Sequence, residues 1–279
     1  MLFGAITLLA VASALLTTVC SGSFGNLAWL WVLPTSFLGS WLGLLILAAL
    51  FFVVLSCFVD QKKPQEKDST FYRGVIKLYV PLILRLARAN IQTAGLEKIP
   101  AQGRFLVVCN HQSEADPAIL IHYFRDSQLS FISKRENATM PVVGNMMHKI
   151  RCLMLNRDND RDGLRVILEC IRRLKADECS IAVFPEGGIK GYAKLHPFRP
   201  GVFKMAQKAE VPIVVCTLAG TQDVFKKLKK LQRIDVTFHV LDVIPAAELK
   251  GVNTTQIAGR VFDLMSDDLG PDWKLPENA

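Results

Sequence analysis

The chain opens with a stretch in which polar positions almost vanish. Two apolar blocks, residues 1–20 and 27–59, flank the short polar turn SGSFGN at 21–26. Each block supplies the roughly 20 apolar residues that a helix needs to cross a bilayer. In the second block the best spanning part is Phe37–Val59, after Pro34, although Gly39 and Gly43 lie inside it. From residue 71 the pattern changes. FYRGVIKLYVPLILRLARAN (71–90) places apolar residues at helical spacing with Arg73, Lys77, Arg85 and Arg88 as its cations. That spacing predicts an amphipathic helix, either lying on an anionic surface or packing on a core with its basic face outward, and kinked at Pro81.

Beyond residue 90 short apolar runs alternate with helical patterns. The runs 105–109, 129–133, 152–155, 180–184, 212–218 and 235–243 read as strands. Segments 117–124, 137–148, 162–175, 202–210 and 255–269 read as helices. Alternation of this kind predicts an α/β fold: a mixed, largely parallel sheet flanked by helices on both faces. Functional residues are then expected just past the carboxyl ends of strands.

Charge sharpens the division. Residues 1–59 contain no Lys, Arg, Asp or Glu, so the whole net charge of +8 belongs to residues 60–279. A cleaved signal peptide needs a basic leading region, and none is present. Lys62, Lys63, Lys67, Arg73 and Lys77 follow the second block, which by the positive-inside rule places 60–279 on the cytoplasmic face of the cell membrane. The expected organisation is a membrane anchor at 1–59 (one or two spans, or a hairpin), a basic linker and interfacial helix at 60–90, and a domain at 91–279. A basic domain behind an apolar leader suits an anionic lipid or phosphorylated partner. Nucleic acid is not expected, because zinc-finger spacing and an RNA-binding aromatic motif are both missing. The seven cysteines are scattered, without a C-x-x-C pair, and read as reduced.

Two polar stretches directly follow predicted strands: NHQSEADP (110–117) after FLVVC, and FPEGG (184–188) after SIAV. His111 with Asp116 could form a general base and its orienting carboxylate. The same spacing fits an Asp cap followed by proline in the first helical turn. A metal is not expected, since a second His at ligand spacing is lacking. In FPEGG the glycines allow a tight backbone whose amides can face an anion. There Glu186 is either a ligand for a substrate hydroxyl or an exposed turn residue. FKKLKKL (225–231) is either a contact for lipid or cofactor phosphate, or a solvated face.

NHQSEAD resembles the N-H-x-x-x-x-D block of the glycerolipid acyltransferases, and FPEGG resembles their F-P-E-G block. Further blocks occur in order: 133–158 with Lys134, Pro141, Gly144 and Arg157, then FRPGVFKMA (198–206), then VPIVVCTLAGT (211–221). The resemblance covers roughly 90–245. It implies an acyltransferase of the 1-acyl-sn-glycerol-3-phosphate type, in which His111 is the base and Asp116 its partner. Its substrates would be an acyl-CoA or acyl carrier protein thioester and a lysophospholipid, with no further cofactor. Glu186, Gly187 and Gly188 match acceptor-binding positions, and Lys134 and Arg157 are phosphate candidates. The block departs from E-G-T-R-S at Ile189, where the family carries Arg; Lys190, Lys194 or Arg199 is then left to supply the cation. The departure also admits a different lysophospholipid or a phosphate-free lipid as acceptor. A lipid-binding protein without catalysis on the same fold is a further alternative.

Overall fold

A computed structural model describes residues 1–156, 159–189 and 194–273. The chain divides into two units, one of residues 1–64 with 140–146, the other of 65–139 with 147–279.

The first unit holds α1 (Leu2–Cys20) and α2 (Trp29–Cys57), both long and apolar enough to cross a membrane. Ile6, Ala10, Ala14 and Thr18 recur every fourth residue along α1, and they are its buried positions. Ala10, Ala14 and Thr18 are small, and small side chains in such a stripe let two helices approach closely. The helices also meet through the Phe3 and Trp41 rings, 6.0 Å apart, and through a 2.9 Å bond between the Ser13 and Ser40 hydroxyls.

The second unit is built on a seven-stranded sheet. In chain order its elements are α3 (Thr70–Leu86), β1 (Ala89–Ala94), β2 (Leu106–Cys109), α4 (Asp116–Tyr123), β3 (Ser130–Lys134), α5 (Val143–Lys149, which begins in the first unit), β4 (Leu153–Leu155) and α6 (Asp160–Lys175). They continue with β5 (Ile181–Val183), α7 (Lys204–Ala209), β6 (Ile213–Ala219), α8 (Val224–Lys229), β7 (Ile234–Ile244), α9 (Ala246–Leu249) and α10 (Thr254–Leu269). The strand order is β1-β7-β6-β2-β5-β3-β4. β6 and β7 pair antiparallel, and the other neighbours pair parallel. The mixed, largely parallel sheet is the one the alternation predicts.

β2 lies at the centre, and all four of its residues are fully buried. Strands buried on both faces read as unbroken apolar runs rather than alternating ones. Leu106 and Val108 face a core shared with α6, α7 and α10, while Val107 and Cys109 face one shared with α4. Each buried valine or leucine contributes about 1.5–3 kcal/mol relative to exposure.

Two helices differ most from the sequence expectation. The helix expected over 71–90 stops at Leu86; Arg88 turns left-handed (φ 57°), and Ala89 onward becomes β1 on the sheet edge. α3 runs through Pro81 as one helix. The helix expected over 137–148 is divided. A 3-10 turn covers Arg135–Thr139, and α5 starts only at Val143, after Pro141 and a left-handed Val142 (φ 63°).

Candidate active site

β2 and β5 are parallel neighbours with Val108 opposite Val183. His111 and Glu186 each come three residues beyond that pair, so both leave the carboxyl edge of the sheet at the same level. The His111 backbone N–H donates to Glu186 Oε1 at 2.8 Å, and its ring stacks on Phe184 at 3.9 Å. Asn110 fixes the other side of the strand end. Its Nδ2 donates to Leu218 O at 2.8 Å, and its Oδ1 accepts from Leu218 N at 2.7 Å. A side-chain amide thus continues the β2–β6 ladder one step past the strand.

Asp116 is the first residue of α4, yet its side chain makes no cap bond to that helix. The carboxylate folds back instead. Oδ2 accepts from Gln112 N at 2.7 Å, Ser113 N at 2.8 Å and His111 Nδ1 at 2.9 Å. An oxygen already taking two backbone N–H groups acts only as an acceptor, so the imidazole proton sits on Nδ1, and among the described residues the Nε2 lone pair has no hydrogen-bond donor. The His111 side chain is 15% exposed and that of Asp116 is fully buried. The ring thus reaches solvent while the carboxylate does not. Burial pushes the neighbouring Cys109 thiol well up, with Cys216, Asp116 and Glu186 adding to the effect. The thiol beside the dyad is therefore protonated and a poor nucleophile.

Glu186 is neither exposed nor open to a ligand on both oxygens. It is fully buried; Oε1 takes the His111 amide, and Oε2 takes the His196 amide at 3.1 Å. This carboxylate clips the 194–196 segment to the loop that carries His111. The following turn closes with Gly187 N donating to Phe184 O at 3.0 Å, and Gly187 adopts φ +80°. A Cβ at Gly187 would lie 2.5 Å from Arg199 Nε, so the guanidinium stem rests directly on the glycine. Arg199 N also donates to Pro185 O at 2.9 Å. Arg199 is thereby laid across the FPEGG turn, while Ile189 is exposed.

Of the residues expected from sequence, His111, Asp116, Glu186, Gly187, Gly188 and Arg199 converge on this edge. Lys134 ends β3 on the same edge, with its ammonium 3.1 Å from Glu136. Lys194 instead donates to Asp272 O at 2.6 Å. Arg157 and Lys190 lie outside the described residues. Asn110 and His196 were not singled out by sequence reasoning. For Asn110 the available signal is a polar amide directly after a wholly apolar strand; the His196 contribution is a main-chain amide, which leaves no signal.

Residues 90–219 match the family model described as Acyltransferase. The 1-acyl-sn-glycerol-3-phosphate acyltransferase of Chlamydomonas reinhardtii is 32% identical over 66% of this chain and 54% of its own length. The sheep 1-acyl-sn-glycerol-3-phosphate acyltransferase alpha is 26% identical over 67% of this chain and 65% of its own length. The chain thus spans between half and two thirds of these relatives. Among solved structures, the 1-acyl-sn-glycerophosphate acyltransferase PlsC of Thermotoga maritima shares the fold, with a TM-score of 0.60 at 21% identity, covering 78% of this chain and 86% of that one. The mixed, largely parallel sheet flanked by helices is the fold that PlsC shows. Residues 90–219 thus carry an acyltransferase-family domain, similar in sequence to these relatives.

Proposed function

We propose that the protein is a membrane-anchored acyltransferase that converts 1-acyl-sn-glycerol-3-phosphate to phosphatidic acid, with an acyl-CoA or acyl carrier protein thioester as donor. The observation that carries this reading is the 2.9 Å bond from His111 Nδ1 to Asp116 Oδ2, which leaves Nε2 open at the carboxyl edge. Nε2 takes the proton of the acceptor's sn-2 hydroxyl as its oxygen attacks the thioester carbonyl. The tetrahedral oxyanion is met by backbone N–H groups near the glycine turn other than that of Gly187, which is bonded to Phe184 O. It collapses with loss of the thiolate, which receives the proton from the imidazolium. An acyl-enzyme is not required, in keeping with the protonated Cys109 thiol.

The names of the relatives support a phosphate-bearing acceptor, as does Arg199. A guanidinium across the FPEGG turn gives the planar fork that Ile189 cannot. The exposed Ile189 favours a second reading, an acceptor without phosphate. An acceptor panel in detergent with one acyl-CoA separates the two. We expect lysophosphatidic acid to be preferred, His111→Ala to lose about 100- to 10,000-fold in turnover while staying folded, and Arg199→Ala to raise KM for phosphate-bearing acceptors alone. Full turnover in His111→Ala would falsify the base. Equal use of a monoacylglycerol would favour the second reading.

A further inference from the structure

At the opposite end of the sheet lies a polar cavity that catalysis does not use. It has a volume of about 370 Å³ and is lined by Thr70, Arg73, Gly74, Lys77, Arg104, Asp126 and Gln128. That volume falls in the range of roughly 300–1,000 Å³ typical of small-ligand sites. Arg104 precedes β2 and His111 follows it, so at about 3.3 Å per residue the cavity is about 20 Å from the dyad. Positions 70, 73, 74 and 77 form one face of α3.

The charges here are unevenly sheltered. The Arg73 side chain is 10% exposed, with Nε on Asp68 at 2.6 Å and Nη1 on Leu129 O at 3.0 Å; Nη2 is buried without a hydrogen-bond partner among the described residues. Lys77 is 28% exposed, but Asp126, 3.2 Å away, is 84% exposed. Arg104 is 17% exposed, and its partner Asp177 is 75% exposed. Carboxylates held so far into water bind their cations weakly. An anion with several acceptor oxygens can displace Asp126 and take Lys77 together with the Thr70 hydroxyl, with the Arg73 and Arg104 guanidinium charges behind them. A Cβ on Gly74 would meet nothing within 4 Å, so this helix face opens onto free space.

We propose that this cavity is a second anion site, for a phosphate group, separate from the catalytic edge. The phosphate is either free or carried by a lipid headgroup. The site does not depend on the activity proposed above.

The test uses the full chain in neutral detergent, in an Arg199→Ala background that removes the phosphate contact proposed at the catalytic edge. Dissociation constants are read from thermal shifts with two probes, inorganic phosphate and micelles doped with phosphatidylglycerol against phosphatidylcholine. Stabilisation by inorganic phosphate supports the site with a free ligand. Stabilisation by phosphatidylglycerol alone supports it with a lipid headgroup. In either case Lys77→Gln weakens binding about tenfold, as loss of one charge-assisted bond implies. Gly74→Leu, whose Cβ enters open space and whose side chain occupies the cavity, abolishes it. Asp126→Asn, which removes the competing carboxylate, tightens it severalfold. The proposal is overturned if neither probe stabilises the protein, or if these three variants bind as the background does.

Discussion

Asp116 Oδ2 receives three donors, while Oδ1 is buried without one among the described residues. That asymmetry makes Asp116→Asn informative. The amide oxygen still serves the Gln112 and Ser113 amides, but the residue no longer carries the charge that stabilises an imidazolium on His111. We expect the protein to stay folded and turnover to fall about 100- to 10,000-fold, measured as kcat beside a thermal melt. Glu186→Gln should behave differently. A glutamine has one acceptor oxygen for the two amides of His111 and His196. One buried donor is left unpaired, at about 1–3 kcal/mol, so the melting temperature should fall by about 5 °C along with turnover; an unchanged melt would refute the clip. His111 and Asp116 were legible in the sequence because the family motif names both. Spacing alone allowed Asp116 to be a helix cap, and only the structure shows its carboxylate turned away from α4. The two-amide grip of Glu186 was not legible, because it depends on main-chain groups separated by 75 and 10 residues.

Among the elements, α6 carries its own pH sensitivity. Its Glu169 is bonded by Arg172 and then Arg173, which lower its pKa from 4.5 to about 2. A depressed folded-state pKa contributes stability that is present above about pH 4.5 and is lost as the pH falls toward 2. Glu169→Gln should therefore lower the denaturation midpoint at pH 6 and flatten its decline between pH 5 and 3, seen by urea melts. A wild-type-like acid decline in the variant would show that the pair contributes nothing to stability. α6 was easy to read because Asn159 caps it and its apolar face repeats. β1 was not. Its residues ANIQTA are at most half-buried on an edge, and the apolar rhythm of α3 ran straight into them. The break at Pro141 was hidden in the same way, since the flanking residues keep helical composition across it.

On the scale of the whole molecule, strand order was the least legible feature. Neighbours in the sheet such as β2 and β6 are about a hundred residues apart in the chain, and local pattern carries no information about that pairing. The apolar leader was legible, and its geometry argues for its path. At 1.5 Å per residue α1 is about 28 Å long and α2 about 43 Å, against a hydrocarbon core of about 30 Å. The two helices, joined by the short turn between them, pack on one another through the Ser13–Ser40 bond and the Phe3–Trp41 ring contact. If both cross, and the lysines after Asp60 stay in the cytoplasm, Cys20 at the end of α1 emerges on the outer face and Cys57 at the end of α2 on the inner. Both thiols are exposed on the protein. An impermeant maleimide on intact cells should then label a variant retaining only Cys20, and should label one retaining only Cys57 only after lysis. A leader that dips into the bilayer and returns on the same side leaves Cys20 unlabelled until lysis, and that result would replace two crossings with a hairpin.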